Sequence, residues 1–178
     1  MSRPVACLII GAVLLSQMPR AYSLDAPIRT RAQVIHAMVV LGCRPYDADV
    51  WATYILAECY DATPRGEPPP DPLLVVAIIS VESNFHERDH YKGNYCGLMQ
   101  ISLRVHRRAW PINGHPLRAA DLYEPQLNIR IGITILRAKL AKYHSVERAV
   151  TAYNVGHWPG HANAYCRKVL KRYRQVTP

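Results

Sequence analysis

Asp71-Pro72-Leu73-Leu74-Val75-Val76-Ala77-Ile78-Ile79-Ser80-Val81-Glu82-Ser83 is the stretch whose reading decides the fold. Asp is a good helix cap because its carboxylate accepts from first-turn amides, and Pro suits the first turn, where its missing N–H has no helical partner. A helix is therefore predicted from Asp71-Pro72 to Phe85, with an apolar run from Val75 to Val81 in which Ser80 alone is polar. Glu82 falls near its C-terminus. The negative end of the helix macrodipole and burial among apolar side chains both oppose ionisation there, so both raise the carboxyl pKa, as a general acid requires.

Upstream, residues 63–71 run Thr63-Pro64-Arg65-Gly66-Glu67-Pro68-Pro69-Pro70-Asp71. So many prolines hold neither helix nor strand and predict a linker. Before it, Val34, Ile35, Met38, Val39 and Leu41 lie close to one helical face between Pro27 and Cys43, and Arg44-Pro45 stops that helix. A second helix is predicted from Asp47 to about Asp61. Residues 24–62 thus read as an N-terminal helical hairpin, and residues 72–178 as the main domain.

At the start, Arg3 precedes the apolar stretch Val5 to Leu15, and Ala21-Tyr22-Ser23 offers a small-x-small cleavage site. Residues 1–23 read as a signal peptide, with the mature chain exported to the periplasm or the extracellular space. Nothing later stays apolar for the ~20 residues a membrane span needs. The formal charge is +9, and it remains basic once Arg3 and Arg20 leave with the signal. Excess positive charge favours anionic partners, and export makes the bacterial cell wall the economical one. Arg and Lys are dispersed without interleaved aromatics, which argues against nucleic acid. Cys43, Cys59, Cys96 and Cys166 remain after cleavage, an even number bound for an oxidising compartment, so two disulfides are expected. Helix geometry disfavours Cys43 with Cys59: the second helix carries Cys59 about 15–18 Å from the turn, against a limit of ~7 Å between bridged Cα atoms.

Glu82-Ser83, then Gly97-Leu98-Met99-Gln100-Ile101, then Leu122 to Gly132, then Ala152-Tyr153-Asn154-Val155-Gly156 follow one another in fixed order. Together, over roughly residues 72 to 172, they make the chain resemble the soluble lytic transglycosylase family. The resemblance implies a mainly α, goose-lysozyme-like fold. It also implies cleavage of the β-1,4 bond between N-acetylmuramic acid and N-acetylglucosamine in peptidoglycan glycan strands, with a 1,6-anhydro product and no cofactor or metal. By the same resemblance Glu82 is the single acid and base. Ser83 holds an N-acetyl group or the Glu itself, Gly97 allows close backbone approach to the saccharide, Met99 walls the groove, and Gln100 meets sugar amides. Tyr153 and Asn154 hold the Glu and a sugar hydroxyl, and Tyr165 stands over the cleft. A Tyr165 in the cleft would bring Cys166 near Cys96, yet that bridge leaves Cys43 and Cys59 as the other pair. Leu122 to Gly132 reads as scaffold. Leu103 and Val105 depart from the family's usual Pro and Thr, and His157-Trp158-Pro159 replaces a shorter turn, with Trp158 able to stack on a sugar or cap the core. Small size suggests local wall remodelling for an envelope-spanning secretion or conjugation apparatus.

Three other readings compete. A hydrolytic muramidase would add Asp89, Glu87 or Asp121 as a second carboxylate. A wall-binding module would leave Glu82 without catalytic work. His86-Glu87-Arg88-Asp89-His90 spells a zinc-protease pattern, with His106 or Glu124 as the third ligand, but Arg88, Asp89, Lys92, Gly93 and Asn94 read as a solvated segment rather than an amphipathic zinc helix.

Overall fold

Around one helix, α3 (Pro72–Glu82), the rest of the chain is assembled. Every residue from Pro72 to Ser80 is buried, because a helix that is apolar on all sides has no face to give to water. Asp71 caps it through Leu73 N, and Pro72 occupies the first turn. The computed structural model describes residues 28–64 and 69–178. The signal peptide read at 1–23 lies outside the described residues, as does part of the Pro-rich linker.

Before α3 come α1 (Arg31–Val40) and α2 (Pro45–Leu56), an antiparallel pair. The first starts at a capping box, in which Thr30 accepts from Gln33 N and Gln33 Oε1 accepts from Thr30 N at 2.9 Å. Pro45 does not merely end α1; it takes the first turn of α2. A π-helical turn over Ala57–Asp61 extends α2. The pair packs α1 on α3 and α2 on the later helix α5 (Pro125–Tyr143), so the apolar face of the hairpin joins the same core as α3.

After α3 lies a three-stranded antiparallel sheet of two-residue strands, β1 (His90–Tyr91), β2 (Tyr95–Cys96) and β3 (Ile101–Ser102). Its register pairs His90 with Cys96 and Cys96 with Ile101. The short helix α4 (Leu103–His106) follows. Then α5 opens at Pro125 and packs against α6 (Val146–Val155), while α7 (Ala164–Val176) lies along α3. Among the described residues no helix is long and apolar enough to cross a membrane.

The two ends of the α3–α7 pair are tied. At one end the Asp71 carboxylate receives Arg29 Nε at 3.2 Å and Nη2 at 2.9 Å, and the Tyr173 hydroxyl at 2.7 Å. At the other, Tyr165 of α7 meets Glu82 of α3.

The expected disulfides are corrected: Cys43, Cys59, Cys96 and Cys166 are all buried free thiols. Each is committed to a different neighbourhood. Cys43 follows α1, Cys59 sits in the π turn beyond α2, Cys96 is in β2 with its carbonyl held by Asn128, and the Cys166 thiol points to Glu147 O of α6 at 3.4 Å. Export context argues for an even number of cysteines but not for their proximity.

Candidate active site

Helix α3 ends at Glu82, and the chain leaves it sharply. Ser83 caps the end, and Asn84 and Phe85 both take left-handed backbone, with φ of 49° and 62°. That conformation is unusual for an aromatic residue, and it persists where surrounding packing determines it. Phe85 is buried. The helix predicted to reach Phe85 therefore stops three residues earlier, with Glu82 on its last turn.

Glu82 is half-buried, and the Tyr165 hydroxyl donates to its Oε1 at 2.7 Å. Burial pushes the carboxyl up to about 7, although the Tyr165 bond, which favours the charged form, pulls the other way. Among the described residues no neighbouring carboxylate contributes to that rise. The Tyr165 and Tyr153 phenols are raised well above their ordinary value, first by burial and then by the Glu82 charge, so both remain hydroxyl donors at neutral pH.

Beneath this group the Gly97–Gln100 turn is fixed from three directions. Ser83 Oγ donates to Leu98 O at 2.9 Å, Tyr153 Oη donates to Met99 O at 2.9 Å, and Met99 N donates to Asn128 Oδ1 at 2.8 Å. Asn128 is fully buried, and its Nδ2 also donates to Cys96 O and Leu122 O, which ties the sheet to α5. Gly97 has φ of 76°, and a Cβ there would strike the Asn128 amide and Leu122 O. Its close approach within the protein is thus to α5 and the preceding turn. Met99 is fully buried with its thioether against Gly132, part of the core rather than an open groove wall. Gln100 Nε2 turns back to Gly97 O at 2.9 Å and Asp89 O at 3.2 Å.

Of the residues read from sequence, the structure brings Glu82, Tyr165 and Tyr153 together around the turn that contains Met99 and is held by Ser83. Asn154 stands apart, exposed, with its Oδ1 accepting from Asn163 Nδ2 at 3.0 Å, where it links the end of α6 to the cap of α7. Trp158 is half-buried and carries the Arg148 guanidinium 5.7 Å from its ring centroid. Sequence reasoning missed the hub role of Asn128 in the site; an Asn on a helix otherwise lined with Ile and Gly was the available signal.

The His86 to His90 pattern is not a helix turn. His86 follows α3 in a turn with Nδ1 on Ser83 O at 2.9 Å, whereas His90 starts β1 with Nδ1 3.0 Å from the Tyr123 hydroxyl. The two rings lack the shared helical face that zinc ligation in this motif demands.

A mainly α scaffold with a small sheet, organised round one buried helix that ends in an acid, is lysozyme-like. Residues 66–173 match the family model described as Transglycosylase SLT domain, more than half of the chain, and the chain belongs to that family. It is similar to a protein of Enterobacteria phage PRD1 named "Transglycosylase", with 30% identity over 105 residues. That match takes in 57% of this chain and only 37% of the phage protein. No solved structure matches.

Proposed function

We propose that the chain is an exported peptidoglycan lytic transglycosylase in which Glu82 is the only acid and base. Family membership supports the reaction class. The observation that carries the mechanism is a half-buried carboxyl raised to about 7, bonded by Tyr165 and, among the described residues, without the electrostatic mark of a second carboxylate. Glycosidases with two acidic residues need the second for water or for a covalent bond. With one, the substrate must supply the rest.

In the first step the neutral Glu82 carboxyl gives its proton to the glycosidic oxygen, the C1–O bond breaks, and the N-acetyl group of the muramyl unit stabilises the positive C1. In the second, the Glu82 carboxylate takes the proton of the muramyl C6 hydroxyl, whose oxygen bonds to C1. The product is a 1,6-anhydro end, and no water is consumed. Tyr165 donates to Glu82 more strongly when it is charged, so it eases the intermediate state of this cycle.

Digestion of purified peptidoglycan with the native chain and with Glu82→Gln, followed by mass spectrometry of released muropeptides, tests this. Anhydro ends that vanish in the variant are expected. Hydrated ends would replace the reading with a muramidase, and no release by folded protein would leave a wall-binding module. Service to an envelope-spanning secretion or conjugation apparatus is part of the proposal, supported by the export reading; a deletion strain in which every such apparatus works normally would remove that part.

A further inference from the structure

Beyond the Glu82 site, residues 103–118 hold four arginines, no lysine and no carboxylate. They fold back on themselves, with Leu117 N donating to Arg107 O at 2.9 Å. Arg104, Arg107, Arg108 and Arg118 thereby come to line one cavity of about 680 Å³, with Leu103 and Leu117 among its apolar lining. Half-buried Leu103 and exposed Val105 supply its accessible apolar surface, and all four arginines are exposed.

Among the described residues none of these four guanidiniums joins an ion pair or a side-chain hydrogen bond. Other arginines here do pair: Arg29 with Asp71, Arg31 with Asp49, Arg44 with Asp47, Arg130 with Glu58. The nearest acid along the chain, Asp121, turns its Oδ2 to the Arg118 backbone N at 2.7 Å and lies 4.0 Å from His115 Nδ1, so it leaves the guanidiniums unneutralised. Four like charges around one hollow repel each other unless an anion is shared between them. Guanidinium, unlike ammonium, grips a carboxylate by two parallel N–H bonds. Accessible apolar surface beside such a rim suits a ligand that alternates carboxylates with small apolar groups. Leu103 follows Gln100 by three residues, at most about 10 Å of extended chain, so the cavity starts beside the turn under Glu82.

We propose that this cavity binds the acidic stem peptide of the wall polymer, with its carboxylates on Arg104, Arg107, Arg108 and Arg118 and its alanyl methyls on Leu103 and Val105. The proposal rests on the wall-acting reading above and adds to it that the enzyme grips the peptide arm as well as the sugar. Peptide-bearing strands would then be selected over naked ones by a contact remote from the bond that breaks.

The test uses the free stem tetrapeptide, labelled at its N-terminus and followed by fluorescence anisotropy with the full chain. The native protein should bind it at least roughly tenfold more tightly than the same peptide with its carboxylates amidated, the difference of about one charge-assisted contact or more. Added salt should weaken the acidic peptide only. Arg107→Gln/Arg108→Gln should lower its affinity about tenfold, with the melting temperature unchanged because both side chains are exposed. Equal affinity for the acidic and amidated peptides overturns the proposal, as does a double variant that binds like native. A poly(glycerol phosphate) probe that binds more tightly than the peptide also overturns it, in favour of a phosphate site. Binding of free peptide requires no bond cleavage, so failure here is distinct from failure to release anhydro products.

Discussion

The Tyr165 hydroxyl meets Glu82 Oε1 at 2.7 Å across 83 residues of sequence, the only side-chain hydrogen bond that Glu82 makes among the described residues. Tyr153, the tyrosine that sequence reasoning assigned to hold the acid, instead donates to Met99 O. One phenol therefore sets the acid and the other sets the floor beneath it.

Removal of the Tyr165 hydroxyl should make Glu82 a weaker acid still. Its bond stabilises the carboxylate, so Tyr165→Phe leaves burial unopposed and raises the pKa above 7. Activity that needs protonated Glu82 falls as pH rises through that value, and the alkaline limb of the pH profile should move upward in the variant. Loss of a bond to a charged group, about 1.5–3 kcal/mol, should also slow turnover roughly ten- to hundredfold. An unmoved alkaline limb would separate Tyr165 from the titration.

Stability should fall with pH on account of Glu82. Its folded pKa of about 7 lies above the ordinary 4.5, so the native state holds the proton more tightly than the unfolded chain, and stability declines between those two values as pH rises. Glu82→Gln has no proton to lose and can still accept from Tyr165. In urea denaturation the variant should match native protein near pH 4 and exceed it by up to about 3 kcal/mol at pH 8. A constant difference at both pH values would contradict the raised pKa.

Asp71→Ala should cost about 3–5 kcal/mol. It removes the cap of α3 and leaves Arg29, 7% exposed, without its anion. Tyr173→Phe, which deletes one hydroxyl from the same carboxylate, should cost about 1 kcal/mol. Chemical denaturation of the two variants gives both numbers, and similar losses would mean that the ion pair is not the dominant element.

Two glycines beneath the site should respond differently to the same methyl group. Gly97→Ala meets backbone at Leu122 O as well as left-handed φ, so no rearrangement nearby relieves it, and the variant should fail to fold stably. Gly132→Ala meets the Met99 side chain, and should cost about 1–3 kcal/mol. Met99→Ala in the Gly132→Ala background should recover part of that loss, and additive losses in the double-mutant cycle would refute the contact.

The four thiols should be silent in native protein and countable after unfolding. Burial raises all of them, Cys43 to about 12, so the reactive thiolate is scarce. Iodoacetamide should label none of them natively within minutes, and all four once the chain is unfolded in denaturant without reductant. Protection that survives unfolding would indicate bridges.

Helix α3 was legible because its cap, its proline and its unbroken apolar run agree on one answer, and Pro125 announced α5 by the same chemistry. Boundaries were less so. Thr30 and Gln33 form the capping box that starts α1, but Pro27 offered a competing start. Pro45 was read as a stop and is equally a beginning. The π turn at Ala57–Asp61 carries no residue pattern that distinguishes it from plain helix. In the site, helix position and the family resemblance pointed to Glu82, and the resemblance alone to Tyr165, whereas the destinations of Ser83 Oγ, Gln100 Nε2 and the Gly97 approach depend on which backbone lies opposite. That is a property of long-range packing. The same limit explains the disulfides: parity is written in one dimension, and distance is not.

Helices α3 and α7 run antiparallel with one tyrosine of α7 bonded at each end of α3, Tyr173 to Asp71 and Tyr165 to Glu82. A pair fastened at one end can slide or splay at the other; fastened at both, it cannot slip by a turn, about 5.4 Å, without parting both bonds together. Any drift of α7 along α3 is therefore all-or-none. The acid's one hydrogen-bond donor among the described residues thus belongs to a closed frame whose far corner is Arg29, bonded to the same Asp71 carboxylate that holds Tyr173.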